Sequence, residues 1–502
     1  MTSKNPPPAH SPLLRDESRF QGWADDFVSP SDQRAMVELA GRSLERGQAL
    51  TFQGAGTGLC GAGVPLGGLL VSTARLDKPI CLNQTEEGFE LWVQPGFKLS
   101  DLRSLLISKG LRSLTSVPSP EIISTFRSKA YFWPPDPGET SATLGGLAAT
   151  KASGPNRLRF GTVADHISAL KAVFSDGQEY AIKRGRYLFK NKELLLPTGE
   201  TLGIEPAFLG LSEEADLIDL LIGSQGMFGY ISGLGLSLVP APTTVWGLVF
   251  FLDEEKKACL LIDRILDNSP SALISLDFLD RASLNIIDDL RNSADRLAEL
   301  PLPPPSAAAA VLIELMADDE SQIEAASEEI LKLCLEVGGE ADDSWALVDS
   351  EVEKMHTFRH AVPEGLGGKI DAIRTSGFQT LKTAADLTRP DLTFYQTVSE
   401  FRRDLNEMKL SAVIFGHAKN NHLHVNFLPK NADEADRAAQ LLGFWLERSK
   451  SAGGLLFAEH GVGKIKKALF LDHERAETIQ TLKEIKKTFD PYGLFNPGNM
   501  FD

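Results

Sequence analysis

The pattern of apolar and polar residues up to about Pro240 predicts a first unit in which short strands outnumber helices. A helix with Ser31 as its N-cap should run through Leu44, because apolar residues recur there at helical spacing. Apolar runs bounded by turn residues predict strands at 49–52, 68–72, 89–93, 167–173 and 234–239. The pattern lacks a regular strand–helix–strand repeat and so indicates an α+β fold. The Pro-rich residues 1–18 should be frayed.

A second unit begins near Thr244 and alternates strands with long helices. The predicted elements are strands 246–252 and 309–315 and helices 254–267 and 321–337. This order indicates a sheet with helices packed on one face. The Pro- and Ala-rich residues 301–310 could be an interdomain linker. We interpret them as a loop that enters the apolar strand AVLIEL, because the second unit would otherwise be too short to close a core.

Length, charge and cysteine spacing exclude several classes of protein. A single core rarely grows beyond about 250–300 residues, so 502 residues should form two or three domains. The net charge of −17 opposes a nucleic-acid partner, because phosphate binding depends on clustered Lys and Arg. Scattered cysteines without a CxxC pair argue against iron–sulfur or metal–thiolate sites and for buried free thiols. They are Cys60, Cys81, Cys259 and Cys334.

Neither secretion nor membrane insertion is predicted. The first twenty residues contain no apolar signal core, and no stretch reaches the roughly 18–20 uninterrupted apolar residues of a membrane span. We therefore expect a cytoplasmic protein, and docking on the inner face of a membrane is left open.

Three glycine-rich segments suggest a binding site for a nucleotide pyrophosphate. They are QGAGTGLCGAG from Gln53, PPDPGETSATLGGLAATKASG from Pro134 and GSQGMFGYISG from Gly223. Glycine permits φ > 0 and lets backbone N–H groups approach an anion closely. The first segment alone could equally be a tight glycine turn, since it matches neither a P-loop nor a dinucleotide fingerprint. Three such segments together favour an extended ligand.

Histidines near the C-terminus suggest a metal site. Seven of the nine lie beyond residue 350. In the strand predicted from His422, alternation places His422, His424 and Asn426 on one face. His417 ends the preceding strand and could converge with His424 on one ion, with Glu459 as a third ligand and an open position for substrate. Imidazole and carboxylate ligands suit Zn²⁺ and comparable ions. The alternative is a set of polar residues on a solvated strand face.

Taken together, the glycine segments, GHAKNNHLHVN and AEHGVGK resemble a flavoprotein family. This is the family of FAD-linked D-lactate and D-2-hydroxyglutarate dehydrogenases, within the vanillyl-alcohol-oxidase-type superfamily. The resemblance extends from about Asp32 to Phe501. It implies a two-part, PCMH-type FAD-binding domain at 19–242 and an α/β substrate (cap) domain with an antiparallel sheet and the metal-binding strand at 243–456. The C-terminal segment 457–502 would pack back onto the FAD-binding domain.

The family's cofactor residues carry over to eighteen positions in or near the glycine segments and in DPYGLFNPGNMF. They are Gly54, Ala55, Gly56, Thr57, Gly58, Gly61, Pro134, Gly138, Thr143, Gly145, Gly146, Ala149, Ser153, Gly154, Gly161, Gly229, Ile231 and Asn496. The first glycine segment contains no histidine, so we expect FAD to be bound without a covalent link at that position.

The resemblance also assigns the catalytic end of the chain. It implies a divalent metal, with zinc expected, held by His417, His424 and Glu459. It implies four catalytic residues, namely His460, Asn426, Arg359 and Lys382. His460 would be the base, Asn426 would assist the substrate, and Arg359 would bind its carboxylate. Lys382 would be a second cation. From the residues alone, Arg359 could instead form a surface salt bridge.

Several residues depart from the family pattern without removing a glycine. Gln53 replaces a basic residue, Lys151 replaces Asn, and Gln225 and Met227 replace Glu and Thr. Residues 419–422 (KNNH) replace a Gly-Asp-Gly-Asn turn. The three predicted ligands survive, but the contacts around them and the metal preference should differ.

The implied activity is oxidation of a D-2-hydroxy acid, with D-lactate the leading substrate. The metal would chelate the carboxylate and hydroxyl, His460 would take the hydroxyl proton, and hydride would move to flavin N5. Electrons would pass to a quinone, a cytochrome or an electron-transferring flavoprotein rather than to NAD. Alternatives are a D-2-hydroxyglutarate dehydrogenase, a glycolate oxidase subunit, a non-catalytic FAD-binding partner subunit and an oxygen-using alcohol oxidase.

Overall fold

The computed structural model describes residues 7–8, 11–291, 295–298, 300, 302–342 and 344–501. Its strands, in chain order, are β1 (Asp26–Val28), β2 (Leu50–Gln53), β3 (Leu69–Ser72), β4 (Pro79–Gln84), β5 (Phe89–Val93), β6 (Tyr131–Phe132), β7 (Ile167–Val173), β8 (Glu179–Lys183), β9 (Glu193–Leu195), β10 (Thr201–Gly203), β11 (Tyr230–Pro240), β12 (Thr244–Leu252), β13 (Leu273–Asp280), β14 (Ala309–Ala317), β15 (Trp345–Val348), β16 (Thr383–Leu387), β17 (Ala412–His417) and β18 (His422–Phe427).

The α-helices are α1 (Gln33–Glu45), α2 (Leu99–Ser108), α3 (Pro120–Ser128), α4 (Leu144–Thr150), α5 (Arg157–Phe160), α6 (Leu217–Leu221), α7 (Glu255–Asn268), α8 (Arg281–Arg291), α9 (Asp295–Ala298), α10 (Glu320–Glu336), α11 (Val352–Thr375), α12 (Phe394–Glu407), α13 (Ala432–Ser451), α14 (Lys467–His473) and α15 (Ala476–Phe489). Short 3-10 turns lie at Pro12–Leu14, Leu111–Ser113, Val163–His166, Pro206–Leu209, Asp349–Glu351 and Lys419–Asn421.

The chain forms two compact units. The first consists of Met1–Ser153, Gly161–Ala241 and Glu459–Asp502, and the second of Gly154–Phe160 and Pro242–Ala458. The C-terminal segment therefore belongs to the same unit as the glycine-rich segments. No helix among the described residues is long and apolar enough to cross a bilayer.

The first unit contains a small parallel sheet and a larger antiparallel one. The parallel sheet has the order β1-β3-β2, and the antiparallel sheet has the order β4-β5-β11-β7-β8, with β6 paired to β11. The C-terminal segment adds to the edge of β2: Leu50 N–H donates to the Leu494 carbonyl at 2.7 Å, and Asn496 N–H donates to the Leu50 carbonyl at 2.8 Å. A core of buried apolar side chains, including Met36, Leu50 and Phe495, joins α1 to this sheet.

Two expectations for the N-terminal region are wrong. Helix α1 is capped by Asp32 rather than Ser31, because the Asp32 carboxylate accepts the Ala35 N–H at 2.9 Å. Residues 11–18 are ordered rather than frayed: Asp16 and Ser18 are buried, and their side chains hydrogen-bond within the unit. The rest of the predicted frayed segment, apart from residues 7–8, lies outside the described residues.

The second unit is built on a seven-stranded antiparallel sheet. Its strand order is β15-β12-β14-β13-β17-β18-β16. The expectation of helices on one face is wrong, because every position of β13, β14 and β18 is buried. Leu279 packs in the core formed with α8 and α11. Its neighbour Phe278 contacts Phe394 of α12, with the ring centroids 5.5 Å apart. Adjacent strand residues point to opposite faces, so helices cover both.

The predicted strands and helices are present with shifts of a few residues at their ends. The largest difference is β11, which begins at Tyr230 rather than 234, because bulges along its pairing with β7 let the strand continue through glycines. Residues 302–308 form a loop that enters β14, as predicted. Helix α4 was not foreseen, because Thr143 caps a run of small residues that carries little periodicity. The four cysteines are free thiols, three of them buried and Cys81 half-buried.

Candidate active site

The glycine-rich segments of the first unit surround an open cleft. Thirteen of the eighteen predicted cofactor residues line it, namely Gly54, Ala55, Gly56, Thr57, Gly58, Thr143, Gly145, Gly146, Ala149, Ser153, Gly229, Ile231 and Asn496. Gly61, Pro134, Gly138 and Gly161 are not among the described lining residues, and Gly154 belongs to the second unit. The sequence thus located the cleft through its glycines, but not every neighbour of those glycines reaches it.

At some positions of this cleft only glycine fits, because two segments of the chain approach each other too closely for a Cβ. A Cβ on Gly54 would lie 2.2 Å from the Thr143 hydroxyl, and a Cβ on Gly145 would lie 2.6 Å from the Pro95 Cβ. Gly56 has φ +73°, a left-handed conformation that L side chains rarely adopt. Backbone therefore forms much of the wall, and an extended anionic ligand can approach its amides closely. This glycine-lined cradle fits a dinucleotide such as FAD.

Gln225 ties the third glycine-rich segment to the C-terminal segment. Its side-chain oxygen accepts the Gly463 N–H at 2.8 Å, and its backbone carbonyl accepts from the side-chain amides of Asn496 at 2.9 Å and Asn499 at 3.1 Å. Asn496 in turn accepts the Phe52 N–H at 2.8 Å. Sequence reasoning noted Gln225 only as a departure from a pattern, because its partners lie more than 200 residues away. These bonds hold one wall of the cleft.

Glu459 and His460 also line this cleft, where both are half-buried. They precede the turn that contains Gly461, at φ +72°, and Gly463, at φ +56°. A Cβ on Gly463 would lie 2.1 Å from the Cys60 carbonyl, so this turn must pack directly against the first glycine-rich segment. The predicted base therefore stands in the same cleft as the predicted cofactor residues.

A buried charge cluster in the second unit centres on Asp277 of β13. The two carboxylate oxygens of Asp277 contact different partners: Oδ1 lies 2.6 Å from His417 Nδ1, and Oδ2 accepts from Arg359 Nε at 2.5 Å. Burial by itself raises the pKa of Asp277, but the charge of Arg359 and the hydrogen bonds from Arg359 and His417 outweigh it and lower that pKa to about 2. Asp277 is therefore an ionised acceptor.

This ionised carboxylate fixes the tautomer of His417. Because Asp277 can only accept, His417 Nδ1 must carry a proton and donate it. The other ring nitrogen, Nε2, lies 3.4 Å from Arg359 Nη2, a group that can only donate. In the neutral ring the lone pair therefore lies on His417 Nε2, where it accepts from Arg359, and this is the tautomer that metal ligation through Nε2 requires.

The other two histidines share this face of the sheet. The register pairs His417 with His422 and Phe415 with His424, so the predicted alternation of His422, His424 and Asn426 is correct. The ring centroids of His417 and His424 are 6.1 Å apart. His422 Nε2 lies 2.9 Å from the buried Asp386 carboxylate. The alternative of a solvated strand face is wrong, because these side chains are at most 6% exposed.

Arg359, Asn426 and Lys382 belong to the same unit. Arg359 lies on α11, and its side chain is only 13% exposed, so a surface salt bridge does not describe it. Asn426 is buried and donates to the His424 carbonyl at 3.3 Å. Lys382 directly precedes β16 and is half-buried. Asp277 and Asp386 escaped sequence reasoning, because they lie on other strands with no motif around them.

Comparison with known proteins identifies the family. A family model described as "FAD linked oxidases, C-terminal domain" matches residues 242–500, which is more than half of the chain. A second model, described as "FAD binding domain", matches residues 24–120 and 115–182. The chain belongs to the FAD-linked oxidase family. The resemblance inferred from the glycine-rich and histidine motifs is thereby confirmed, and so is the presence of an FAD-binding domain.

Several known proteins are similar to this chain over most of their length. The glycolate oxidase subunit GlcD of Bacillus subtilis is 26% identical, with 96% of this chain and 90% of the relative covered. The D-lactate dehydrogenase of Anaerostipes hadrus is 24% identical, with 95% and 88% covered. The D-2-hydroxyglutarate dehydrogenase of Xanthomonas citri is 25% identical, with 90% and 84% covered. At these identities the relatives do not separate one substrate from another.

A solved structure supports the predicted fold. Alkyldihydroxyacetonephosphate synthase superposes with a TM-score of 0.62 at 14% identity, covering 95% of this chain and 77% of that one. An identity this low supports the fold alone. The family member therefore has the two-domain fold of FAD-linked oxidases, with mixed helices and antiparallel sheets.

Proposed function

We propose that this protein is an FAD-dependent dehydrogenase that oxidises a D-2-hydroxy acid to the 2-keto acid, with D-lactate as the leading substrate. The observation that carries the proposal is the Asp277–His417–Arg359 cluster. It presents an imidazole lone pair beside a guanidinium, and those two groups suit a metal and a substrate carboxylate respectively.

The relatives support the substrate class but leave its member open. Their names refer to lactate, 2-hydroxyglutarate and glycolate, which all contain a hydroxyl group next to a carboxylate. D-2-hydroxyglutarate dehydrogenase and glycolate oxidase subunit therefore remain the nearest alternatives. The acceptor is proposed to be a quinone, a cytochrome or an electron-transferring flavoprotein, and the location to be the cytoplasm or the inner face of a membrane.

The donor set suits a divalent metal, with zinc expected. His417 and His424 would be two of the ligands, and their rings lie on one face of the sheet. The assignment of Glu459 as the third ligand rests on the sequence resemblance. When bound, such a metal acts as a Lewis acid that lowers the pKa of a coordinated hydroxyl.

The remaining roles belong to side chains of this chain. Arg359 would bind the substrate carboxylate, and Asp277 holds that guanidinium in place through its Nε–H. His460 would accept the hydroxyl proton, assisted by Asn426, while Lys382 would add a second positive charge. FAD, when bound in the first unit's cleft, supplies the hydride acceptor.

A non-catalytic FAD-binding partner subunit is the competing hypothesis of a different class. Such a subunit has no need to preserve a buried, tautomer-fixed imidazole. The intact Asp277–His417–Arg359 cluster therefore favours an enzyme, since an ion pair that does no chemistry is often replaced by apolar residues without loss of stability. An oxygen-using alcohol oxidase would need no metal, so stoichiometric metal would count against it.

The test is anaerobic reduction of the bound flavin, followed by its visible absorbance. D-lactate should bleach the flavin, L-lactate should not, and chelation should abolish bleaching until metal is restored. If D-lactate fails, D-2-hydroxyglutarate and glycolate are tested next. Failure of all three with FAD and metal both bound would overturn the proposal in favour of the partner-subunit hypothesis.

A further inference from the structure

Residues 11–24, here called the N-terminal strap, lie against the first glycine-rich segment. Leu14 is 3% exposed and packs with Ala24 and Leu70 of β3. The Gly22 N–H donates to the Leu14 carbonyl at 2.8 Å, which folds the strap back on itself. The family model for the FAD-binding domain begins at residue 24, so nearly all of the strap precedes the matched region.

Asp16 of the strap is buried at the edge of the cofactor cleft. Its side chain is 6% exposed and lines the cleft, and its Oδ2 accepts the Gly61 N–H at 2.8 Å. Its Oδ1 accepts the Ser18 N–H at 3.1 Å. Burial raises the pKa of Asp16, and the bonds from Ser18 and Gly61 act in the opposite direction. A carboxylate held in this way at a ligand cleft needs an explanation beyond solubility.

Two further contacts bind the strap to the same glycine segment. The Gln53 side-chain amide donates to the Leu13 carbonyl and to the Gly63 carbonyl, both at 3.0 Å, and so bridges strap and segment. The ring of Phe20 packs so closely that a Cβ on Gly61 would lie 3.1 Å from it. The strap therefore contacts the glycine segment at its start and at its end.

We propose that Asp16 is a cofactor-positioning residue of this protein. By accepting the Gly61 N–H, it holds residues 54–61 in the conformation whose backbone lines the FAD cleft. Gly56 and Gly61 both have φ +73°, and glycine loses more backbone freedom on ordering than any other residue. A fixed anchor at Gly61 reduces the ordering that FAD binding must accomplish, and a preorganised site holds its ligand longer.

The chain offers a control in Asp25, an exposed residue that makes a similar carboxylate–glycine contact. Its Oδ2 accepts the Gly68 N–H at 2.8 Å, the same contact at the same distance, but Asp25 does not line the cleft among the described residues. Asp16→Ala and Asp25→Ala therefore each remove one carboxylate–glycine bond. Asp16→Asn keeps one acceptor for the Gly61 N–H and serves as the conservative variant.

The experiment measures the FAD dissociation rate of the holoprotein and the thermal unfolding of the flavin-free protein. An unmade buried hydrogen bond costs about 1–3 kcal/mol, so Asp16→Ala should speed FAD release by about 5- to 150-fold. Asp16→Asn should recover most of that loss, and Asp25→Ala should stay within about twofold of the wild type.

Two outcomes would overturn the proposal. One is an unchanged dissociation rate in Asp16→Ala, and the other is equal acceleration in Asp25→Ala, which would indicate general loosening. If Asp16→Ala does not fold, Asp16→Leu takes its place, because leucine removes both acceptor oxygens and still fills the site: release of FAD at the wild-type rate would then reject a positioning role. The readout is cofactor binding, so this result is independent of whether D-lactate is the substrate.

Discussion

Replacing Asp277 with Asn tests the link between the second unit's charge cluster and the proposed metal. The wild-type carboxylate accepts from His417 Nδ1 at 2.6 Å and from Arg359 Nε at 2.5 Å. An asparagine has a single acceptor oxygen, so its NH₂ group must face one of these two donors. Either Arg359 loses its partner, or His417 shifts its proton to Nε2 and loses the lone pair that would bind metal.

The size of both effects follows from this geometry. Positioning carboxylates typically contribute 10- to 100-fold to metal affinity, so the Kd of the metal should rise by that factor, or about 1.4–2.8 kcal/mol. Breaking a buried charge pair costs about 3–5 kcal/mol of stability, because the remaining charge stays desolvated. Asp277 is 2% exposed, so little solvent is available to compensate.

The assay is metal competition with a chelator of known affinity, combined with denaturant unfolding. Asp404→Asn is the control, because Asp404 is also a buried carboxylate of the second unit and accepts from Trp445 Nε1 at 2.9 Å and from Arg448. Asp404→Asn should lose stability and keep its metal affinity. If Asp277→Asn loses stability but retains the wild-type metal Kd, the reasoning about His417 is refuted.

Three further predictions concern cofactor binding, catalysis and pH. Gly145→Ala places a Cβ 2.6 Å from the Pro95 Cβ and should weaken FAD binding at least about tenfold by equilibrium titration; Gly41→Ala, in open space on α1, should not. Arg359→Lys removes the planar guanidinium that Asp277 holds in place. This change should lower kcat/KM about 100-fold or more, equal to a loss of about 2.7 kcal/mol of transition-state stabilisation, while the flavin content stays constant. Normal turnover would contradict the role assigned to Arg359. Burial lowers the pKa of Lys464 to about 8 in the folded protein. Between about pH 8 and 10.4 this lysine therefore binds more protons in the unfolded chain than in the folded one, and the stability of the protein should rise with pH across that window. The free energy of unfolding is measured by denaturant titration for the wild type and for Lys464→Met. The difference between the two should grow by on the order of 3 kcal/mol across that pH window, and a difference that does not change with pH would contradict the burial argument.

Local patterns predicted much of the fold and part of the candidate site. Period-two alternation placed His422, His424 and Asn426 on one strand face, and the register confirms it. Apolar runs and helical spacing predicted five strands and one helix of the first unit. They also predicted two strands and two helices of the second unit. Each of these depends only on residues near in sequence, which is why one sequence was sufficient.

Helix ends and sheet coverage were predicted less well. Ser31 and Asp32 are both good N-cap residues, and only the observed bond to Ala35 N–H selects Asp32. The one-face expectation for the second unit failed because an apolar run shows that a strand is buried, but not how many layers cover it.

The sequence by itself determined the family, the FAD-binding fold and most of the cleft-lining glycines, because glycine segments and a histidine strand carry their chemistry within a few residues. Tertiary structure alone decided which side chains serve those motifs. Asp277 lies 140 residues before His417, and Asp16 lies 45 residues before Gly61. Neither aspartate sits in a pattern that distinguishes it from other acidic residues. Their roles arise only when sheet register and chain folding bring a carboxylate within hydrogen-bond distance of one particular N–H.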